Sequence, residues 1–234
     1  MSTPPSEHAV PPPLPIDVVS DVVCPWCFIG KRRLEKALAM RPDINTELSW
    51  RPYFLNPSIP RAGIERASYL KTKFGSVERY HAMAQRVVAA AAGEGLTYAL
   101  DKISRQPNTL DCHRLILWAR STGAAGPVKQ RLMELYFAEG ADLTDPEVLV
   151  AAAVDSGMDG QRVRELLATD ADTERLETEA NAAKDAGIDG VPYFVFGNVL
   201  AVAGAQEPSR LADALGRASV EYARRHQFVR APSA

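Results

Sequence analysis

The hydrophobic pattern changes period five times along this chain, and each change marks a change of architecture. Ile16-Asp17-Val18-Val19, within Pro15 to Ser20, is β-branched and reads as a short strand. Leu48, Trp50 and Pro52 alternate with Glu47, Ser49 and Arg51, the period of a half-buried strand. Between them, Phe28 to Met40 has helical spacing, and Pro42 ends it. Strand, helix and strand in that order predict a right-handed βαβ unit with parallel strands.

From about Gly63 to Gly187 the period becomes 3.6. Runs near 65–75, 77–93, 107–122, 127–139, 146–156, 160–168 and 171–186 read as helices, and no strand signal interrupts them. Their punctuation is that of helices, with glycines at 75, 95, 123, 126, 140 and 157 and a capped start at Thr144-Asp145-Pro146-Glu147. Strand character returns at Val191 to Phe196. Gly197-Asn198 then predicts a two-residue hairpin turn into Val199 to Ala203. A last helix is expected over Pro208 to Arg225, with Leu211, Ala214, Leu215 and Ala218 facing the sheet. The expected organisation is an α/β domain split into 15–62 and 188–226, interrupted by a helical block at 63–187. A proline-rich tail, 1–14, is expected to be disordered.

Composition narrows the function. The chain of 234 residues is 46% hydrophobic and 24% charged with a net charge of −2, which suits an ordinary globular domain. It has no dense basic stripe, so nucleic acid is not an expected partner. No apolar run is long enough to span a membrane. The N-terminus lacks a basic segment followed by an apolar one, so a cytoplasmic location is expected.

The candidate chemistry lies at Cys24-Pro25-Trp26-Cys27, where the first strand gives way to the first helix. Cysteines at i and i+3 lie on one helical face, within reach of a disulfide. Pro25 suits the first helical position, where its missing N–H costs nothing. Cys24 would sit at the helix tip, beside free backbone amides and the positive end of the dipole. That setting favours thiolate and makes Cys24 the expected nucleophile. Cys27 shares a face with Gly30, Leu34 and Leu38 and is expected to be the buried, resolving thiol. Trp26, between the cysteines, should stand near the surface and offer an aromatic face. A CxxC is also half of a zinc site, but the chain has only Cys112 and its neighbour His113 to complete one, and adjacent helical residues point about 100° apart. Redox exchange is the expected chemistry, with no metal.

Ser20 to Gly30, including CPWC, resembles the FrnE-like branch of the DsbA family within the thioredoxin superfamily. Asn108-Thr109-Leu110-Asp111 with His113-Arg114-Leu115, Gly187 to Val195 and Gly204-Ala205-Gln206 extend the resemblance. It implies a thioredoxin-like fold with a large helical insertion and a protein-disulfide oxidoreductase with Cys24 and Cys27 as catalytic thiols. It further implies that Pro192 is a cis-proline facing them and that Val191 pairs with an extended substrate. Pro25 and Trp26 would complete the substrate contacts. Proteins bearing thiols or disulfides are the implied substrates. The redox-active disulfide would need no separate cofactor, with glutathione or another small thiol as a candidate co-substrate. Hydroxychromene-carboxylate isomerases and kappa-class glutathione transferases resemble the same branch but typically carry serine in place of Cys24.

Among the remaining polar residues, Asp21 is expected to shape a turn or to accept a proton from Cys27. Cys112 is expected to be a buried helical cysteine. Asn108 and Arg114 are candidates for a substrate groove, and Trp50 and Trp118 for core or groove wall.

Overall fold

The computed structural model describes residues 12–228. Strand β1 (Leu14–Ser20) starts one residue inside the expected tail, because Leu14 is 2% exposed and belongs to the core. Most of the expected disorder, at 1–11, lies outside the described residues. Helix α1 (Pro25–Met40) leads to β2 (Thr46–Pro52), and β1 and β2 pair in parallel with Val18 opposite Trp50. After the helical block come β5 (Tyr193–Phe196), β6 (Leu200–Ala203) and α9 (Pro208–Phe228). The sheet order is β2-β1-β5-β6, with β5 antiparallel to both of its neighbours.

The hairpin is one residue longer than expected. Phe196 pairs with Leu200, so Gly197, Asn198 and Val199 make the connection. Both Gly197 (φ 60°) and Asn198 (φ 53°) adopt the left-handed backbone that glycine and asparagine tolerate best.

The insertion holds α2 (Arg66–Phe74), α3 (Val77–Gly93), α4 (Leu110–Trp118), α5 (Ala125–Glu134), α6 (Pro146–Asp155), α7 (Gly160–Leu167) and α8 (Thr173–Asp185). Contrary to the sequence expectation, it is not wholly helical. Ile64–Glu65 (β3) and Arg105–Gln106 (β4) form a two-residue antiparallel ladder. Such a short pairing has no room for alternation, so periodicity could not reveal it. A π-helical turn, Leu135–Glu139, continues α5 and ends at Gly140.

Alternation buries Ile16 and Val18 of β1 and Phe194 and Phe196 of β5 under α1 and α9, where Ile29, Leu34, Leu211 and Leu215 meet them. The same apolar cluster continues into Leu132, Met133, Phe137 and Leu149 of the insertion. The start of α1 therefore stands where sheet and helical block share one core.

Candidate active site

Three segments converge on the first turn of α1. The loop after β1 delivers Asp21, whose carbonyl accepts the Cys24 N–H at 3.2 Å and whose side chain takes the Leu55 N–H at 2.9 Å. Cys24 is the N-cap and Pro25 opens the helix, as its fixed φ favours. The segment before β5 brings Val191, whose carbonyl lies 3.5 Å from the Cys24 thiol donor. The Val191–Pro192 bond is cis.

Both thiols are free and both are buried, Cys24 at 5% and Cys27 at 2% exposure. Cys24 holds the helix-tip place expected for it and is buried there, with the Val191 carbonyl 3.5 Å from its sulfur. Burial pushes the Cys27 thiol well above its ordinary value. Its hydrogen bond with Cys24 and the charge there add to the rise, while Lys129 and an Asp21 backbone hydrogen bond oppose it. Trp26 is 39% exposed beside them, as expected. An aromatic stack braces the helix start from the insertion side. Tyr98 lies 4.6 Å from Phe137 between ring centroids, and its hydroxyl donates to the Pro25 carbonyl at 2.6 Å. Burial, and then the charges at Cys24 and Cys27, raise the Tyr98 hydroxyl pKa, so Tyr98 stays a donor.

A groove of about 630 Å³ runs from Pro25 and Trp26 along α2 and α3, over Phe74, Tyr80, Met83 and Val87. A larger cavity, about 920 Å³, opens at the edge of β2 over Lys31, Trp50 and Gln130 and contains neither cysteine. Among the described residues, no three His, Cys, Asp or Glu side chains are placed to hold a metal ion, nor is any helix long and apolar enough to cross a membrane.

Residues 15–216 match the DSBA-like thioredoxin domain family. The chain belongs to that family, whose members are generally thiol–disulfide oxidoreductases. It is 31% identical to a probable DsbA oxidoreductase from Streptomyces coelicolor, with a TM-score of 0.82 over 94% of this chain and 93% of that one. The uncharacterised protein YwbO of Bacillus subtilis (strain 168) is 25% identical over 187 residues, 79% of this chain and 88% of YwbO. A 2-hydroxychromene-2-carboxylate isomerase structure shares the fold, with a TM-score of 0.64 at 19% identity over 90% of this chain and 98% of that one.

In this DSBA-like chain the six residues singled out from the sequence, Cys24, Pro25, Trp26, Cys27, Val191 and Pro192, do meet around one helix start. Two further candidates do not join them. Arg114 is fully buried, and its guanidinium donates to the carbonyls of Leu166, Thr169 and Ala171 and to Asp111. Asn108 donates to the Ile59 carbonyl and accepts from the Leu110 N–H, closing a loop. Trp50 is a core residue, and half-buried Trp118 donates to Asp172. Cys112 is fully buried, with its thiol pKa raised by burial.

Sequence reasoning missed Lys129, and it considered His113 only as a zinc partner for Cys112. His113 packs its ring edge against Phe54 and places Nε2 3.5 Å from Asp21 Oδ1. Burial holds its pKa below the ordinary value although Asp21 works the other way. Lys129 is 1% exposed, and its place inside the stripe Val128, Leu132, Met133 was the signal available.

Proposed function

We propose that the protein is a cytoplasmic thiol–disulfide oxidoreductase that works by dithiol exchange through Cys24 and Cys27. Cys24 thiolate attacks a substrate disulfide, one substrate sulfur leaves, and a mixed disulfide forms. Cys27 then attacks Cys24, the enzyme disulfide closes, and the second substrate sulfur leaves as thiol. The observation that carries this reading is the pairing of two free cysteines at the N-cap and first turn of α1 beneath the Val191 carbonyl. Val191 and Pro192 would hold an extended substrate segment. Pro25 and Trp26 would add contact area at the mouth of the apolar groove. Proteins are the proposed substrates, with glutathione or another small thiol as co-substrate. The sulfurs carry the electrons, so no further cofactor enters the cycle.

Insulin reduction by wild type, Cys24→Ser and Cys27→Ser tests the reading. Wild type should turn over and both variants should fail. Glutathione-dependent activity that survives in Cys27→Ser would instead identify an isomerase or transferase. Stoichiometric zinc or copper, lost on changing either cysteine, would identify a metal-binding protein.

A further inference from the structure

Lys129 is a buried cation without an ion-pair partner among the described residues. It comes from α5 of the insertion, is 1% exposed, and its Nζ has no hydrogen-bond partner among the described residues. The ammonium lies 5.3 Å from the centroid of the Trp50 ring, on the side of β2 that faces the core. Burying an unpaired ammonium is costly, and leucine or methionine would fill the same position without that cost. The ionisable groups facing it come from every neighbouring element: Cys24, Cys27 and Lys31 of the α1 segment, Asp21 of the loop after β1, and Cys112 and His113 of α4. Lys31 is already occupied by Glu35 and Gln130. Asp21 is committed to the Leu55 N–H and lies beside His113. Of the two lysines, Lys129 alone lacks a carboxylate or hydrogen-bond partner among the described residues, and the Trp50 ring face is the one contact its charge has.

We propose that Lys129 is a positioning residue whose buried positive charge stabilises the Cys27 thiolate during resolution of the mixed disulfide. This rests on the dithiol exchange proposed above. In that step the Cys27 S–H bond breaks, the Cys27–Cys24 disulfide forms, and the bond from Cys24 to the substrate sulfur breaks. The proton released by Cys27 ends on the departing substrate thiol, so no external oxidant or base is required. Two electrons pass from the enzyme sulfurs to the substrate. At neutral pH the charge is present, since burial lowers the Lys129 pKa only to about 8. It fades as the pH rises through that value. The insertion thus takes part in the chemistry, through a lysine placed under the helix start that the split domain supplies.

The test follows both steps with 5,5′-dithiobis(2-nitrobenzoate). Attack by Cys24 releases one thionitrobenzoate, and attack by Cys27 on the mixed disulfide releases the second. Lys129→Met should leave the first release near wild type and slow the second about tenfold at neutral pH. Lys129→Arg, which keeps the charge, should restore the second release. Above about pH 8 it should resolve faster than wild type, because arginine stays charged where lysine does not. An unchanged second release in folded Lys129→Met overturns the proposal, as does a folded Lys129→Arg that fails to restore it. If neither variant folds by circular dichroism, the wild type decides through its ¹³Cε-lysine signals. The Lys129 pKa must fall when Cys24 and Cys27 are oxidised, because their attraction for the ammonium is gone. A pKa indifferent to oxidation overturns the proposal. A wild type that releases no second thionitrobenzoate would sink the dithiol reading itself, a different outcome from any of these.

Discussion

Gly30 makes room for Pro192: a Cβ at Gly30 would stand 2.7 Å from Pro192 Cγ and 3.3 Å from the tip of the Phe194 ring. The second turn of α1 and the segment entering β5 thus touch through a missing side chain. That contact sets how closely Val191 approaches Cys24. Gly30→Ala is expected to push the pyrrolidine ring away and cost about 1–3 kcal/mol of stability. Insulin turnover should fall further than the loss of folded protein explains. Thermal denaturation together with turnover per folded molecule checks this, and a stable, fully active variant would contradict it.

Cys27→Ser is expected to accumulate covalent partners in cells, because the mixed disulfide on Cys24 loses its internal exit. Adducts should appear on non-reducing gels, collapse with reductant and vanish when Cys24→Ser is added. Adducts that persist without Cys24 would show that the nucleophile is another thiol.

Cys112 is expected to be silent in the cycle. It is fully buried, its thiol pKa is raised, and it sits on α4 rather than at the helix start. Cys112→Ala should keep disulfide turnover near wild type and cost about 1 kcal/mol in packing. A large drop in turnover in a folded variant would make it a functional thiol.

Arg114 ties α4 to the link between α7 and α8 through three carbonyls at 2.7 to 2.9 Å. Arg114→Met should cost about 1–3 kcal/mol, because three carbonyls lose a charged donor. Urea denaturation should shift accordingly, while turnover per folded molecule stays near wild type. A selective loss of turnover would return Arg114 to the substrate surface.

Stability is expected to fall as the pH drops below about 6.5, the ordinary histidine value, in part through His113. Its folded pKa is lowered by burial, so over that window the unfolded chain binds a proton that the folded chain does not. The sign is therefore stability gained with rising pH, by at most about 1.4 kcal/mol per pH unit for one proton. His113→Gln should flatten this part of the profile. An unchanged slope between about pH 5 and 6.5 would show that His113 titrates alike in both states.

Local chemistry determined a great deal here. The β-branched run at Val18, the alternation around Trp50, the apolar run at Val191 to Phe196 and the long 3.6 period between them reported the element order, because strand and helical burial leave different periods. The CPWC spacing reported a thiol pair, since residues three apart must share a helical face. What those signals could not carry was anything joining segments distant in the chain. The Cys24 thiol meets the Val191 carbonyl across 167 positions, and only the antiparallel docking of β5 on β1 brings them together. Arg114 looks in sequence like any surface arginine. It is buried because α4 packs against α5, α6 and α8, which carries its guanidinium to the carbonyls of Leu166, Thr169 and Ala171. Lys129 looks like a flaw in the apolar face of α5 until the fold sets its ammonium over the Trp50 ring, within electrostatic reach of both cysteines. Burial of a charge is a property of the assembled core, and tertiary packing decided it.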